Sequence, residues 1–318
     1  IMSSSLRGKK IVIFGGNGFI GSHLTNQLCN ESCQITIVTR KSFIKKKFFA
    51  NEPGQVIFKK IDNFDELNIE KLIDDCDIVF NLIGILVEEQ KTSFDFVHHQ
   101  IPKMISSVIA KKKIRSFIHL SALNVDKTKN SKYAISKNKG DNEIRKNFPN
   151  AVIVRPSVVF GKGDNFINFF EKLSKFSPFL PLIGTPNINF SNKFLSIIDF
   201  KKKVKFQPIY VGDLVQFLIN ISAKRNKTFE LTGPSIKSFD QIFDVILSYK
   251  KRKRLYLPVP FFQAKILAMF LQLLPKPLLT IDQINLLQID SVSKAGLNNL
   301  KIFIKNPTSM ETAIKNCL

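Results

Sequence analysis

Five residues, Lys10–Phe14 (KIVIF), run directly into the segment Gly15–Gly21 (GGNGFIG), and this junction constrains the fold more tightly than any other stretch of the chain. A short apolar run ending at glycines reads as a buried strand. Gly18–Asn30 then reads as a helix, because Ile20, Leu24 and Leu28 recur on one face. Gly15, Gly18 and Gly21 therefore sit at a strand–turn–helix corner. The first permits a tight turn, the second lets a pyrophosphate approach the backbone, and the third lets helix and strand pack closely. The helix start at Phe19 and Ile20 offers N–H groups and partial positive charge to phosphates.

The pattern continues as strands alternating with helices. Further strands are expected at Gln34–Thr39, Val56–Ile61, Asp77–Ile83, Ser116–Ser121 and Ala151–Arg155. Helices are expected between them at Asp65–Asp74, Phe94–Lys111 and Ser131–Asn147. Such alternation predicts right-handed βαβ units and a parallel sheet. After Pro156 the pattern loosens, with a strand at Gln207–Val211, a helix at Gly212–Ser222, a strand at Thr228–Leu231 and a helix at Phe239–Leu247. The fold class is therefore α/β, a Rossmann-type doubly wound parallel sheet with a small C-terminal lobe. A nucleotide-binding core over 1–160 interleaves with sheet completion and a substrate or partner lobe over 161–318.

The net charge of +23, from 48 Lys+Arg against 25 Asp+Glu, favours acidic partners. The basic runs Lys45–Lys47, Lys111–Lys113 and Lys201–Lys203 are scattered, however, and abundant Phe, Lys, Ile and Asn are what A/T-rich codons encode. No base-reading helix or aromatic RNA-binding signature accompanies them, so specific nucleic-acid binding is not expected. Cys29, Cys33, Cys76 and Cys317 form no zinc spacing and read as reduced thiols. With no apolar run in the residues before Lys10, a signal peptide is not expected. Residues 255–279 are the most apolar stretch, and prolines at 258, 260, 275 and 277 bracket a helix there. At about 14 residues, or ~21 Å, it falls short of a ~30 Å bilayer core. Burial in the C-terminal lobe is the preferred reading. Peripheral contact with a membrane or partner, beside the basic run Lys250–Arg254, is the other.

The second strand ends at Thr39-Arg40-Lys41, where an acidic residue would bind a ribose 2′-hydroxyl and a basic one accommodates a 2′-phosphate. Arg40 thus predicts NADP(H) in preference to NAD(H). Asp62 ends the third strand and Asn81–Gly84 the fourth, at the C-terminal strand edge where ligands of open α/β sheets bind. Tyr133 and Lys137 are four apart on one helix face. An ammonium near a phenol lowers its pKa, which would let Tyr133 act as acid and base. Ser121, ending the fifth strand, would hydrogen-bond a substrate oxygen. His23 reads as local packing, His98 and His99 as exposed helix residues, and His119 as a core histidine.

In their order along the chain, GGNGFIG, Asn81–Gly84, Ser121, Tyr133/Lys137, Arg155–Gly161 (RPSVVFG) and Phe206–Asp213 (FQPIYVGD) resemble the extended short-chain dehydrogenase/reductase superfamily. The segments His119–Asp126, Ser131–Arg145, Arg155–Phe170, Leu180–Gly184, Lys205–Leu214 and Leu279–Val292 (LTIDQINLLQIDSV) further resemble the nucleotide-binding accessory subunits of respiratory complex I and their bacterial relatives. This resemblance spans nearly the whole chain, and its last segment is the most family-specific. It implies a tightly held NADPH with a structural or regulatory role. It implies partners among complex I subunits or a related membrane assembly, at the cytoplasmic face of a bacterial inner membrane. Cofactor contacts would come from Gly15, Gly18, Phe19, Ile20, Gly21, Arg40, Asp62, Asn81, Gly84, Tyr133, Lys137 and Pro156. Two features depart from these families. Thr185–Val204 is longer than the usual link, and the twelve-residue spacing from Ser121 to Tyr133 is short for a sugar-nucleotide epimerase.

An active oxidoreductase or epimerase/dehydratase, with a possible link to ubiquinone metabolism, is the alternative. Ser121, Tyr133 and Lys137 would then be catalytic, with Tyr133 moving the substrate proton, Lys137 binding the nicotinamide ribose and Ser121 polarising the oxygen. On that reading Tyr133→Phe abolishes turnover in a nicotinamide-linked assay, and unchanged turnover refutes the role.

Overall fold

A computed structural model describes residues 6–40, 48–89, 92–190, 196–199, 203–275 and 277–318. Lys41, the Lys45–Lys47 run, Lys201, Lys202 and parts of the Thr185–Val204 link lie outside the described residues. The central sheet contains β1 (Lys10–Phe14), β2 (Gln34–Thr39), β3 (Val56–Lys60), β4 (Ile78–Asn81), β5 (Ser116–Leu120), β6 (Val152–Pro156) and β7 (Lys227–Leu231). Their order is β7-β6-β5-β4-β1-β2-β3, and all neighbours are parallel. The order reverses beside β1, where an open sheet has its ligand crevice.

Helices cover both faces, which explains why β1, β4 and β5 are buried without alternation apart from Lys10. On one face α1 (Phe19–Leu28) packs with the later helix Val211–Asn220, around Ile13, Ile37, Leu24 and Phe217. On the other, α2 (Glu66–Ile73), α3 (Ile101–Lys112) and α4 (Lys132–Asn147) enclose Phe14, Val79, Ile105 and Phe117. The edge strand β3 exposes Phe58, Lys59 and Lys60, and edge lysines discourage pairing with another chain.

Caps fix several helix starts. Asp65 accepts from the Asn68 N–H at 2.8 Å to begin α2. Ser131 accepts from Ala134 N–H at 3.2 Å to begin α4. A π-helical turn at Phe96–Gln100, absent from the periodicity, precedes α3. It fits beneath α4 because residue 140 is glycine: a Cβ there would lie 2.0 Å from the His98 carbonyl oxygen.

A third apolar cluster forms the C-terminal lobe around Phe170, Phe239, Phe243 and Ile314. Residues 255–279 correct two expectations. They begin with a strand, Leu255–Val259, which pairs in parallel with Phe179–Ile183. The helix that follows, Phe261–Leu271, has 11 residues and buries only Ala264 and Ala268. It is therefore not the buried helix preferred from the sequence. Near the end of the sheet, the strand placed at Gln207–Val211 contracts to Ile209–Tyr210, and its partner is Val159–Phe160.

The glycine corner gives a direct test of the packing. A Cβ on Gly21 would meet the Gly15 carbonyl oxygen at 2.2 Å and the Gly16 Cα at 2.6 Å, both backbone atoms that cannot rotate away. Gly21→Ala should destabilise the chain by about 1–3 kcal/mol. Denaturant unfolding would measure this, and an unchanged midpoint would mean that close packing is not the role of Gly21.

Candidate functional site

The site lies where the C-terminal ends of β1, β4 and β5 meet the start of α1 and one face of α4. Gly15 has φ +83°, and a Cβ there would lie 2.9 Å from the Leu82 carbonyl carbon, so only glycine lets β1 turn against the end of β4. The N-cap of α1 is Gly18, so no capping side chain occupies that helix N-terminus. Phe19 and Ile20 turn their side chains onto the core beneath β1 and leave the helix start to the backbone. Asn17 Oδ1, in the same loop, is buried without a protein hydrogen-bond partner. A glycine cradle in which a Cβ on Gly15 or Gly21 would meet backbone, and a helix N-terminus without a capping side chain, suit a dinucleotide pyrophosphate. Arg40 is exposed at the end of β2. Asp62, just beyond β3, is exposed and paired with Lys60. Pro156 is buried at the end of β6, where its carbonyl accepts from Leu123 N–H at 2.9 Å.

Asn81 acts through the turn that follows it. Its Oδ1 accepts from Ile83 N–H at 3.3 Å and its Nδ2 donates to His119 Nδ1 at 3.1 Å. Gly84, three residues on, borders Lys137: a Cβ there would be 3.5 Å from Nζ. Lys137 is itself buried and donates to the Leu120 carbonyl at 3.0 Å. Burial brings its pKa down to about 8, although Asp141 pulls the other way.

Tyr133 does not show the lowered pKa expected of a phenol beside an ammonium. Desolvation pushes it up to about 12, with Asp141 and Asp282 adding to the rise. Its ring meets His98 edge-on at 5.0 Å and Phe94 at 5.8 Å. His98 is also not the exposed residue expected: it is 1% exposed. Its Nε2 accepts from Ile85 N–H at 3.1 Å, so the ring proton is assigned to Nδ1, which faces Ser136 Oγ at 3.1 Å. Burial, with Lys137 nearby, drives its pKa down to about 2 and keeps the ring neutral. The π-turn carries His98 inward, and helical periodicity gives no sign of such a turn.

Ser121 is committed elsewhere. Its Oγ donates to Asp141 Oδ2 at 3.0 Å. The same oxygen accepts from Arg155 Nε at 3.0 Å and pairs with Nη2 at 2.9 Å, and Arg155 also reaches Asp126 at 2.8 Å. Asp141 is 2% exposed. Burial raises its pKa, and Arg155, Ser121 and Lys137 oppose the rise. Asp141 Oδ1 and His119 Nε2 face each other at 3.6 Å, both buried and without a hydrogen bond. Because Asn81 donates to the other ring nitrogen, the His119 proton is assigned to Nε2 and directed at the carboxylate. Asp141 lay inside a quoted motif, but its spacing resembles any polar helix position, and only the fold shows that it is buried.

The family described as "NAD dependent epimerase/dehydratase family" matches residues 11–227. The chain is 30% identical over 314 residues to NADH dehydrogenase [ubiquinone] 1 alpha subcomplex subunit 9, mitochondrial, of Mus musculus, covering 97% of this chain and 79% of that protein. It is 28% identical over 261 residues to the NADH-ubiquinone oxidoreductase 40 kDa subunit, mitochondrial, of Neurospora crassa, covering 80% and 64%. Among solved structures, it shares its fold with the epimerase Mth375 of Methanothermobacter thermautotrophicus. That match has a TM-score of 0.71 and 16% identity, and covers 98% of this chain and 91% of that one. MoeE5 in complex with UDP-glucuronic acid and NAD matches at a TM-score of 0.69 and 12% identity, over 97% of both chains.

Lys137 makes the burial of this site measurable. Its pKa falls from 10.5 to about 8 on folding. Between those values the unfolded chain holds a proton that the folded chain has released, so rising pH favours the fold. The stability of the cofactor-free chain relative to Lys137→Met should climb from pH 8 to 10.5, by on the order of 3 kcal/mol. A flat difference across that window would show that Lys137 keeps an ordinary solvated pKa.

Proposed function

The chain belongs to the NAD dependent epimerase/dehydratase family, and we propose that within it the protein is an NADP(H)-holding accessory or assembly factor of a respiratory complex I. We place it at the cytoplasmic face of a bacterial inner membrane, attached peripherally, with complex I subunits or a related membrane assembly as its partners.

The observation that carries this reading is the engagement of Ser121. A serine hydroxyl has one proton, and here it goes to Asp141. While that bond stands, Ser121 has no proton to offer a substrate oxygen. The high pKa of Tyr133 points the same way, because a phenol near 12 is a poor general base at neutral pH. Kinship with mitochondrial complex I subunits over 80–97% of this chain supports the choice of partner.

A bound NADP(H) would supply a nicotinamide held next to this polar cluster. Gly15, Gly18 and Gly21, with the N–H groups at Phe19 and Ile20, would hold its pyrophosphate. Arg40 would meet the 2′-phosphate that distinguishes NADP from NAD. Lys137, Tyr133 and the Asn81–Gly84 turn would border the nicotinamide half. Asp62 and Pro156 would flank the cofactor at the ends of β3 and β6. The alternative reading, an active NAD(P)-dependent oxidoreductase or epimerase/dehydratase, keeps one observation in its favour: Lys137 lies beside Gly84 on the same helix as Tyr133. It requires Ser121 to leave Asp141.

The test uses protein purified from native membranes without added cofactor. Respiratory subunits should co-purify, and the bound nucleotide should prove to be NADPH. Its near-ultraviolet absorbance should persist when carbonyl compounds and quinones are added. Rapid, substrate-dependent oxidation with nucleotide exchange would overturn the accessory reading in favour of the enzyme, and a protein recovered alone would remove complex I as the partner.

A further inference from the structure

The helix Phe261–Leu271 has its amphipathicity inverted. It buries two alanines and turns its large apolar side chains outward: Phe262 is 58% exposed, Ile266 44% and Phe270 61%. Leu273, in the turn that follows, is 78% exposed. A helix made to pack on its own lobe would bury the large residues and expose the small ones. The strand Leu255–Val259 leads into this helix, and the alternation of exposure begins four residues before it. Lys251, Lys253, Leu255 and Leu257 are exposed. The intervening Arg252 and Arg254 turn inward, donating to Glu171 and Ser174 at 3.0 Å and to the Ser174 carbonyl at 2.7 Å.

Those two arginines clamp the strand to the end of the helix Phe166–Phe176, which repeats the pattern. Lys172 and Lys175 are exposed and are followed by Phe176 and Phe179, also exposed. Phe179 is in register with Leu255. Cations followed by apolar side chains thus appear on two paired segments. The charge is one-sided: from residue 245 to 281 there are seven Lys/Arg and no Asp or Glu. Among the described residues no helix is long and apolar enough to cross a membrane.

From this we infer that the face formed by Phe176–Phe179, Leu255–Leu257 and the helix Phe261–Leu271 docks on an anionic phospholipid bilayer. The apolar side chains enter the interfacial layer, and Lys251, Lys253, Lys172 and Lys175 pair with lipid phosphates. An apolar surface bordered by lysines, whose neighbouring carboxylates Glu171 and Asp244 are engaged by Arg252 and Tyr256, is complementary to acyl chains beneath anionic headgroups. The inference rests on the peripheral placement proposed above and names the chemistry of that contact.

The experiment is sedimentation of the full chain with vesicles of phosphatidylcholine, alone or mixed with phosphatidylglycerol. The protein should partition onto the mixed vesicles and leave them as salt is raised. Lys251→Glu with Lys253→Glu should weaken that partition about tenfold or more. Phe262→Ser with Phe270→Ser should weaken it on a similar scale, roughly tenfold. Both pairs replace exposed residues, so circular dichroism and the unfolding midpoint should match the parent chain. A parent chain that stays in the supernatant with both vesicle types overturns the inference, as do variants that partition like the parent; a docking face for protein is then the reading left. Equal binding to both vesicle types overturns the anionic requirement. Vesicle binding needs no respiratory subunit, so this result and the co-purification above can fail independently.

Discussion

The carboxylate of Asp141 is the constraint around which the site is assembled. A buried carboxylate is costly unless donors surround it. Here Arg155 from β6 and Ser121 from the end of β5 both donate to Oδ2 of a residue on α4. Satisfying one group therefore fixes a helix against two strands. Lys137, one turn earlier on α4, is held by the β5 carbonyl at Leu120. The helix face carrying Tyr133 and Lys137 is thus positioned by charge pairing as much as by apolar packing. The same pairing engages the Ser121 hydroxyl, so the feature that builds the site is also the one on which the proposed accessory role rests.

The C-terminal lobe reaches into this arrangement. Asp282 accepts from Ser131 Oγ at 2.8 Å and from the N–H groups of Lys132 and Tyr133 at 2.6 and 3.2 Å. A carboxylate at a helix N-terminus satisfies free N–H groups and complements the helix dipole. Asp290 receives the Lys205 N–H on its carboxylate and the Asn124 amide on its carbonyl, and the Ser291 carbonyl accepts from Ser157 Oγ. Residues 280–292 therefore cap the helix that holds Tyr133 and Lys137 and fasten the ends of the sheet. A segment remote from the glycine loop is thus tied directly to the site, through Asp282 at the start of α4.

What the sequence revealed divides along physical lines. β1 and β2 fall at the residues expected, and β3 to β6 within a few, because short runs rich in β-branched and aromatic residues mark strands even where, as in β3, one edge is exposed. The helices expected from Asp65 and from Ser131 begin one residue later, with those two side chains as their N-caps. The misses depend on contacts that no local pattern records. His98 appeared to be surface because the π-turn that carries it inward breaks the 3.6-residue period. Tyr133 was expected to have a lowered pKa because Lys137 is four residues away. Burial proved the larger effect on both groups, raising the phenol and lowering the amine. The strand–turn–helix corner at Gly15–Gly21 was legible in the sequence, whereas the proton inventory of the polar cluster required the fold.

The helix Phe261–Leu271 shows why composition alone misleads about burial. Hydropathy measures what a segment would gain by leaving water, and in an isolated soluble chain that gain is realised in the core. Here Ala264 and Ala268 present too little surface to account for so apolar a helix, and the side chains with the most to gain remain outside. Contiguous exposed apolar surface marks an interaction site more often than a packing defect. An A/T-rich composition can explain many lysines along the whole chain, but it does not single out one stretch from which the acids are missing. At the average density of this chain, about three acidic residues would fall between 245 and 281, and none does. This is the longest acid-free run in the chain, and it coincides with the inverted helix and the outward row Lys251–Leu257. Excess charge spread evenly over a surface carries no address; the same charge purged of acids and placed against exposed leucine and phenylalanine does.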